Sequence, residues 1–387
     1  MNARAATFPA LTEASRATFV RLLVHGPASR ADLARQQRLS AASLTRIGRS
    51  LEDSGLMVEA ETTAPQRMGR PSQAMDVNVD AAHLIGIKLL AGEINLVRTD
   101  MRSTVLAHRT IGLPPLPTPT VAIDQITDAI RAEVAADPLV ATIGISLAGP
   151  VNPQSQVVTQ SPFLGWENVP IGRLIEERTG RPTVIENDVR ALTAAEHWFG
   201  AAAGATNFAL VTIGAGIGCG VVIDDRLVDG NIGAAGQIGH LPVTASGPLC
   251  ERGHRGCARS YLSSSAMVSQ AALALHRPAL TYDKLLSLAE QGDNVASRVV
   301  RDAGYALGTV IGMIAAITAP SKVIISGEGV GLAPLVMDEI QERAREIQHW
   351  TVPPVPIQIA EFGFMEWARG AAVIALQHLL ESAIRPA

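Results

Sequence analysis

The sequence predicts an α/β protein in two parts, a small helical head and a larger body made of two related α/β lobes. In residues 1–80 three short helical patterns precede a hairpin pattern, whereas in residues 81–387 strand-like runs alternate with helices. The charge divides in the same way. Residues 1–75 carry a net charge of +4 and the whole chain −4, which leaves −8 for the remainder. A basic head on an acidic body indicates that only one end meets phosphate groups.

The head has the pattern of a helix-turn-helix. A first helix, predicted over 12–25, ends at Gly26-Pro27. A second, short helix follows the Ser29 cap, and Ser40 caps a third helix over 41–54. A strand pattern follows directly, so the sequence predicts a winged helix-turn-helix.

The third helix has one apolar face and one polar face. Leu44, Ile47 and Leu51 recur at helical spacing and predict the buried face. On the other side, small residues would allow close approach to base edges, and two arginines could reach guanine edges or phosphates. The candidate DNA-binding residues of this helix are Ser40, Ala42, Ser43, Thr45, Arg46 and Arg49.

A wing is predicted over 59–73, with a polar tip at 62–65. Within it, Gly69-Arg70-Pro71 places a guanidinium between a flexible and a stiff residue, which suits a narrow minor groove. Arg70 is therefore a further DNA-binding candidate. The alternative is a helical domain that mediates protein contacts. Ten arginines in residues 1–75 argue against it, although the chain holds only three lysines and so favours arginine throughout.

The composition indicates a folded cytoplasmic protein. Apolar residues make up 47% and charged residues 18% of the 387 residues, which excludes a disordered chain. No signal-peptide pattern opens the sequence, and three cysteines are too few for a disulfide framework. The nearly uncharged stretch 304–320 is shorter than the roughly 20 residues of a membrane span. Its glycines at 304, 308 and 312 predict a closely packed core helix.

Strands and helices of the body follow from runs of apolar residues and their period. The strands are predicted at 84–90, 94–99, 104–110, 142–147, 183–185, 208–213, 220–223 and 322–326, and the helices near 119–136, 170–179, 188–200, 260–275, 293–319, 332–347 and 366–384. Triplets of strands separated by helices occur twice, which predicts two lobes with a cleft between them.

Four motifs of the body occur in a fixed order, followed by a cysteine pair. They are Gly-Ile-Ser-Leu-Ala-Gly-Pro at 144–150, Glu-Asn-Asp-Val-Arg-Ala at 186–191, Gly-Ala-Gly-Ile-Gly-Cys-Gly at 214–220, Gly-Gln-Ile-Gly-His at 236–240, and Cys250 with Cys257. This set resembles the ROK family of repressors, open reading frames and sugar kinases, and specifically its repressor branch. The resemblance covers nearly the whole chain and implies a two-lobed body with the actin-like ATPase (ribonuclease H-like) fold.

The sequence departs from the family's kinases where they hold ATP. Those kinases begin with an Asp-x-Gly-Gly-Thr segment, whereas Lys88-Leu89-Leu90-Ala91-Gly92 offers no acid for Mg²⁺ and blocks the phosphates with branched side chains. The glycine loop 214–220 is either a vestigial phosphate loop, with Ala215 for the kinases' Thr, or a tight turn between strands. The segment 324–329 resembles the turn beside the nucleotide base and is expected only to end a strand. We expect no catalysis, ATP or Mg²⁺.

Asn187 and Asp188 stand at the start of the helix predicted over 188–200. Both residue types are common helix caps. The resemblance implies a second role, because the family's Asp takes the proton of a sugar hydroxyl and its Asn binds neighbouring hydroxyls. Without a phosphoryl donor, Asp188 is expected to be a vestigial base that still accepts hydrogen bonds from a sugar.

The resemblance also implies a zinc site. The family's site combines His with three cysteines, and here the middle cysteine is Arg252. His240, Cys250 and Cys257 therefore supply three of the four tetrahedral ligands. His254 could supply the fourth if its loop shifts, whereas the cation of Arg252 would repel a metal. A structural zinc and a zinc-free loop with two reduced thiols both stay open.

Further expected sugar contacts involve His240 and two altered positions. Gln237 and Arg259 each stand where the family has Glu. Because arginine only donates hydrogen bonds, we hypothesise that the ligand is acidic or phosphorylated and pairs with Arg259. The rival hypothesis is a degenerate pocket that binds nothing. Trp166 is predicted either to stack on a sugar or to pack in the core.

Together these patterns predict a sugar-responsive transcriptional regulator, most simply a repressor of genes for carbohydrate uptake or catabolism. The predicted domains are the head at 1–80, a first lobe at 81–200 completed by the C-terminal helix 366–387, and a second lobe at 201–365. The expected partners are double-stranded operator DNA, a sugar or sugar derivative, and further copies of the chain in a homodimer or tetramer. Two alternatives remain: an ATP-dependent sugar kinase with a fused DNA-binding domain, and a regulator controlled by a protein partner.

Overall fold

The structure is a computed structural model, and it describes residues 8–60, 74–231 and 233–384. These residues form two compact units. The first unit runs to Gly204 and also contains the C-terminal segment from Trp367, and the second unit comprises Ala205–Glu366. Each unit contains a five-stranded sheet covered by helices, as expected of an α/β protein.

The head opens the first unit with three helices and a small antiparallel sheet of order β1-β3-β2. Its elements are α1 (Glu13–His25), β1 (Ala28–Ser29), α2 (Arg30–Gln36), α3 (Ala41–Asp53), β2 (Met57–Ala60) and β3 (Ala74–Val77). Ser29 and Ser40 cap α2 and α3 by accepting hydrogen bonds from backbone N–H groups three residues on, as predicted. The wing tip, with Arg70, lies outside the described residues.

The first lobe is built on a mixed sheet of order β11-β7-β4-β5-β6. Its elements are β4 (His83–Leu90), β5 (Glu93–Thr99), β6 (Val105–Gly112), α4 (Pro119–Ala136), β7 (Val140–Leu147), β8 (Val151–Asn152), β9 (Val157–Ser161), β10 (Trp166–Val169), α5 (Ile171–Thr179), β11 (Thr183–Asn187) and α6 (Asp188–Phe199). β4 and β11 lie on either side of β7. Because the three strands run parallel, they end on the same edge of the sheet.

The second unit contains a mixed sheet of order β14-β13-β12-β15-β16. Its elements are β12 (Phe208–Ile213), β13 (Ile217–Ile223), β14 (Arg226–Leu227), α7 (Ala258–Leu262), α8 (Ser264–Leu275), α9 (Tyr282–Glu290), α10 (Asn294–Thr318), β15 (Val323–Ser326), α11 (Met337–Ile347) and β16 (Ile357–Ile359). The helix predicted over 260–275 is divided at Ser263, which ends α7 in an extended conformation and caps α8. The predicted start of α11 is instead a 3-10 helix, Val330–Val336, that contains Pro334.

Helix α10 is the core helix that the glycine spacing predicts. It is long and apolar enough to cross a membrane, yet two thirds of its most apolar window is buried inside the protein. A Cβ atom added at Gly308 would lie 2.6 Å from the Ile340 carbonyl oxygen on α11, and one at Gly312 would lie 2.8 Å from the Cβ of Ile347. The glycines therefore allow α10 and α11 to pack in close contact.

The last helix, α12 (Met365–Ser382), packs on the sheet of the first lobe and on the head. An added Cβ at Gly86 or Gly144 would overlap a carbonyl group of α12, so these glycines let the helix lie directly on β4 and β7. Just beyond the C-terminal end of α12, the Leu11 N–H donates to the Ala383 carbonyl at 2.8 Å.

The head and the first lobe share one apolar core. Residues of α1, α3, β4 and α12 form a continuous buried cluster that includes Phe19, Leu22, Leu44, Leu84, Leu376 and Leu380. Arg102, after β5, donates to the Leu22 carbonyl at 3.0 Å and to the Asp76 carboxylate at 3.0 Å. The head is thus joined to the first lobe by buried apolar side chains and by one arginine.

Candidate functional site

The polar face of α3 is open to solvent. Arg46 and Arg49 are exposed, while Leu44, Ile47 and Leu51 are buried, as the periodicity predicts. Of the other four candidates, Ser40 and Ala42 are exposed and Ser43 and Thr45 are half-buried. The Thr45 hydroxyl donates to the Ala41 carbonyl, and the Ser40 oxygen caps the helix, so both hydroxyls are held in fixed positions.

Two acidic residues of the head, Glu52 on α3 and Asp32 on α2, form ion pairs with arginines. Glu52 forms an ion pair with Arg30 at 3.0 Å, and Asp32 forms one with Arg35. These pairs reduce the negative charge that would otherwise repel a polyanion from the surface around α3.

A buried ion pair joins Lys88, in the segment that departs from the kinases, to Asp188. The Lys88 ammonium, on β4, donates to the carboxylate of Asp188, the first residue of α6. Lys88 is only 2% exposed and Asp188 only 9%. The Lys88 Nζ atom also lies 5.1 Å from the ring centre of Trp367, within the range of a cation–π contact. Asp188 thus accepts a hydrogen bond from a buried ammonium group.

From the sequence alone, Lys88 is notable only because its segment lacks the acid that the kinases have. The available signal was a single lysine within the apolar run Leu84–Leu90, since a buried lysine requires an anionic partner. The sequence could not name that partner, because Asp188 is one hundred residues away along the chain.

Asn187 is the helix cap that one interpretation predicts. Its side-chain oxygen accepts from the N–H groups of Val189 and Arg190 at 3.0 and 3.3 Å, and its amide donates to the Gly149 carbonyl at 3.2 Å. Asn187 therefore ties the start of α6 to the end of the Gly144–Pro150 motif. Contact of Asn187 and Asp188 with a sugar stays a prediction.

In the second unit, four potential metal ligands lie together. His240, Cys250, His254 and Cys257 place one ligand atom each within 4.8 Å of one another. The His240 Nδ1 atom is 3.7 Å from the Cys250 sulfur and 3.8 Å from the Cys257 sulfur. Tetrahedral zinc with N and S ligands requires separations of about 3.3–3.8 Å. The described residues therefore fit zinc, with His254 as the fourth ligand and the exposed Arg252 side chain outside the set.

The protonation of this cluster favours metal binding. Burial lowers the pKa of His240, and repulsion by His254 lowers it further. Burial acts to raise the pKa of the Cys250 thiol, but hydrogen bonds at the Arg252 and His254 backbone and from Cys257 outweigh it, so this pKa lies below its ordinary value. Neutral imidazole and thiolate are the forms that bind metals.

The other predicted sugar contacts are placed as follows. Gln237 and His240 are exposed on the second unit. Arg259 forms an ion pair with Glu251, a residue not predicted from the sequence. Burial acts to raise the pKa of the Glu251 carboxyl, but a hydrogen bond at its own backbone and the charge of Arg259 outweigh it, so this pKa lies below its ordinary value. Trp166 is only 3% exposed and its indole N–H donates to the Pro117 carbonyl, so it packs in the core.

The glycine loop is the hairpin turn that the sequence left as an alternative. Ile213 pairs with Ile217, so Gly214-Ala215-Gly216 joins β12 to β13. The Ala215 N–H donates to the Glu328 carboxylate at 2.7 Å. The turn 327–329 therefore lies against the hairpin, and does more than end the strand β15.

The comparisons with known proteins agree with this architecture. The ROK family model matches residues 84–378. The DNA-binding transcriptional repressor Mlc of Escherichia coli K12 is 29% identical over 372 residues, 90% of this chain and 89% of Mlc. A ROK family transcriptional regulator described as a homologue of E. coli Mlc superposes with a TM-score of 0.82 at 25% identity, over 96% of each chain. A ROK glucokinase from Streptomyces griseus, solved with glucose and AMPPNP, gives 0.65 at 29% identity, over 76% of this chain and all of that one.

The repressor-type match extends over the head as well as the body, whereas the glucokinase match covers about three quarters of the chain. The family model alone spans most of the chain. This protein therefore belongs to the ROK family and has the α/β fold that the family's transcriptional regulators share with its sugar kinases.

Proposed function

We propose that this protein is a sugar-responsive, DNA-binding transcriptional repressor without enzymatic activity. The observation that carries the proposal is the exposed polar face of α3, with Arg46 and Arg49 above a buried apolar face. The name of its relative Mlc, a DNA-binding transcriptional repressor, supports the proposal. Regulated genes for carbohydrate uptake or catabolism and a cytoplasmic location belong to the same proposal.

DNA binding is tested with the DNA upstream of the protein's own gene. Fluorescence anisotropy of the full chain is measured as the salt concentration is raised. Replacing Arg46 or Arg49 by Gln is expected to weaken binding by about 1–3 kcal/mol if the arginine reads a base. If it contacts a phosphate, the salt slope should fall by about 0.9. Arg277→Gln, on the second unit, is the matched control. Undiminished binding by both head variants would contradict the proposal.

The proposed effector is a sugar or sugar derivative, and the residues proposed to contact it are Asn187, Asp188, Gln237, His240 and Arg259. Calorimetric titration compares glucose and xylose with glucuronate and glucose 6-phosphate. If Arg259 selects an anion, an acidic sugar must compete with Glu251, and Arg259→Gln should abolish its preference over glucose. Absence of heat from all four sugars would favour the alternative of a protein-controlled regulator with an empty pocket.

The proposed zinc site is structural, with His240, Cys250, His254 and Cys257 as ligands. Bound zinc would tie the 236–240 motif to the loop 250–257 and would take no part in chemistry. Metal analysis of purified protein is expected to give one zinc per chain. His254→Ala should lose it and His254→Cys should retain it, with His108→Ala as an exposed control. If His254→Ala still contains one zinc per chain, the ligands are only the three predicted from the sequence, His240, Cys250 and Cys257.

The kinase alternative receives no support from the site. Lys88 holds the carboxylate that a kinase would use as a base, and an ammonium group there repels Mg²⁺. ATP consumption in the presence of the same four sugars is expected to equal the background rate.

A homodimer or tetramer is also proposed, since a dimer could place two α3 helices about 34 Å apart on a palindromic operator. Analytical ultracentrifugation tests this.

A further inference from the structure

The turn between β12 and β13 offers the two features of a phosphate site. Its glycines leave the backbone open, and the Ala215 N–H points out of the turn toward an acceptor. A cation also lies nearby, because the Arg259 Nη1 atom would be 3.6 Å from a Cβ atom added at Gly216. The resemblance to kinases implies that this loop once held the phosphates of ATP.

An anion already occupies this turn, and it belongs to the chain itself. The Glu328 carboxylate accepts the Ala215 N–H at 2.7 Å. It also lies against Gly214, where an added Cβ would overlap the carboxyl group. Because the Glu328 side chain is exposed, its carboxylate stays partly hydrated, and the desolvation free energy of this position is small.

The backbone around Glu328 fixes the side chain in place. Gly329 N–H donates to the Ile213 carbonyl at 2.8 Å, and the Tyr282 hydroxyl donates to the Gly329 carbonyl at 2.7 Å. Gly327 has a φ of +96°, and a Cβ added there would lie 2.7 Å from the Ile213 oxygen. Only glycine therefore allows the turn to lie flat on the end of β12 with Glu328 above the hairpin.

We propose that Glu328 is an internal anion that occupies the place of a phosphate at the 214–216 turn and keeps nucleotides and polyphosphates out. A phosphate oxygen would need the N–H that Glu328 holds, and two anions at one donor repel each other. This exclusion is independent of the loss of the metal-positioning acid at Lys88. It also depends neither on DNA binding nor on a sugar effector.

The test measures binding of inorganic tripolyphosphate to the full-length protein by calorimetry, without divalent metal. Glu328→Ala removes both the acceptor and its charge, and it is expected to bind tripolyphosphate at least tenfold more tightly than the wild type. Glu328→Gln should fall between the two, because an amide oxygen still accepts the Ala215 N–H but does not repel the ligand. Glu342→Ala removes the same charge from α11 and should bind like the wild type.

If both Glu328 variants bind tripolyphosphate no more tightly than Glu342→Ala, the proposal is wrong. An equal gain in all three variants would show general charge repulsion and would also overturn it. DNA affinity measured on the same samples keeps this outcome separate from the proposed function, since Glu328 is far along the chain from the head and outside its unit.

Discussion

Lys88 and Asp188 place a cation and a carboxylate together inside the first unit. The Asp188 carboxylate accepts a hydrogen bond from the buried Lys88 ammonium, so each charge offsets the other inside the protein. A buried pair is also costly to break, since either partner alone is an uncompensated charge.

Removing Lys88 alone is therefore expected to destabilise the protein. Lys88→Met should lower the free energy of unfolding by about 3–5 kcal/mol, because it leaves the Asp188 carboxylate buried without its partner. The double variant Lys88→Met with Asp188→Asn should recover most of that loss. Urea unfolding followed by circular dichroism measures both. A loss below about 1 kcal/mol in the single variant would mean that water reaches Asp188.

A second buried carboxylate makes stability depend on pH. Burial acts to raise the pKa of Asp137, but hydrogen bonds from His83 (2.6 Å) and from the Leu139 N–H, the charge of His83 and the Arg98 guanidinium outweigh it and place this pKa below 3.8. The stabilisation is complete above pH 3.8, the value in the unfolded chain, and is lost as the pH falls through the lower folded value.

Asp137→Asn is thus expected to cost about 2 kcal/mol of stability at pH 7. The difference from the wild type should shrink as the pH is lowered below 3.8. Urea midpoints between pH 7 and pH 3 provide the measurement. A difference that stays constant down to pH 3 would assign the effect to lost packing instead of lost charge.

Among the helices, the contact between α10 and α11 depends on glycine residues, which have no Cβ atom. Gly304, Gly308 and Gly312 lie on one face of α10, and each would clash with α11 or with the 3-10 helix before it if it carried a Cβ. An apolar helix with this glycine spacing resembles a membrane-spanning helix. Here the glycines serve a buried helix, because they allow α11 to pack closely against it.

Gly308→Ala should force α11 away from α10. The added Cβ meets the Ile340 backbone at 2.6 Å, and backbone cannot rotate aside as a flexible side chain can. We expect a loss of about 1–3 kcal/mol in the free energy of unfolding. Gly363→Ala, where an added Cβ meets nothing within 4 Å, is the control and should unfold like the wild type. Equal stability of the two variants would show that α11 adjusts freely.

Long, strongly patterned elements could be predicted from the sequence, and short ones could not. The five strands of the first lobe's sheet, the strands β12, β13 and β15 of the second sheet, the three head helices and α10 follow from apolar periods and caps. The strands β8, β9, β10, β14 and β16 were missed because segments of two to five residues carry too little periodicity. Helix α9 was missed as well. At the candidate sites, motifs identified Asp188 and His240, but Lys88 and Glu328 became visible only through partners that are distant in sequence, and Glu251 only through its ion pair with Arg259.

At the scale of the whole molecule, the connection of the head to the first lobe depends on Arg102. Its guanidinium donates to two carbonyls at the end of α1 and to Asp76 on β3, so it places a positive charge at the negative end of the helix dipole. These bonds are charge-assisted and half-buried, and they join an element of the lobe to two elements of the head.

Arg102→Met is expected to loosen the head while leaving the rest of the protein folded. Amide hydrogen exchange should accelerate in the last turn of α1 and in β3 by tenfold or more, which corresponds to about 1.4 kcal/mol. Exchange in α10 should be unchanged. Arg131→Met, which removes an exposed arginine from α4, serves as the comparison. Unaltered exchange in α1 would show that the apolar cluster alone holds the head.

The glycines at 86 and 144 have a consequence at long range. They let α12 rest on bare backbone, and this helix begins beside Lys88, where Trp367 receives a hydrogen bond from Ser146, and ends near Leu11. Eighteen residues of helix span about 27 Å. Because α12 lies directly on the backbone of β4 and β7, one rigid element connects the surroundings of Lys88 with Leu11, just before α1.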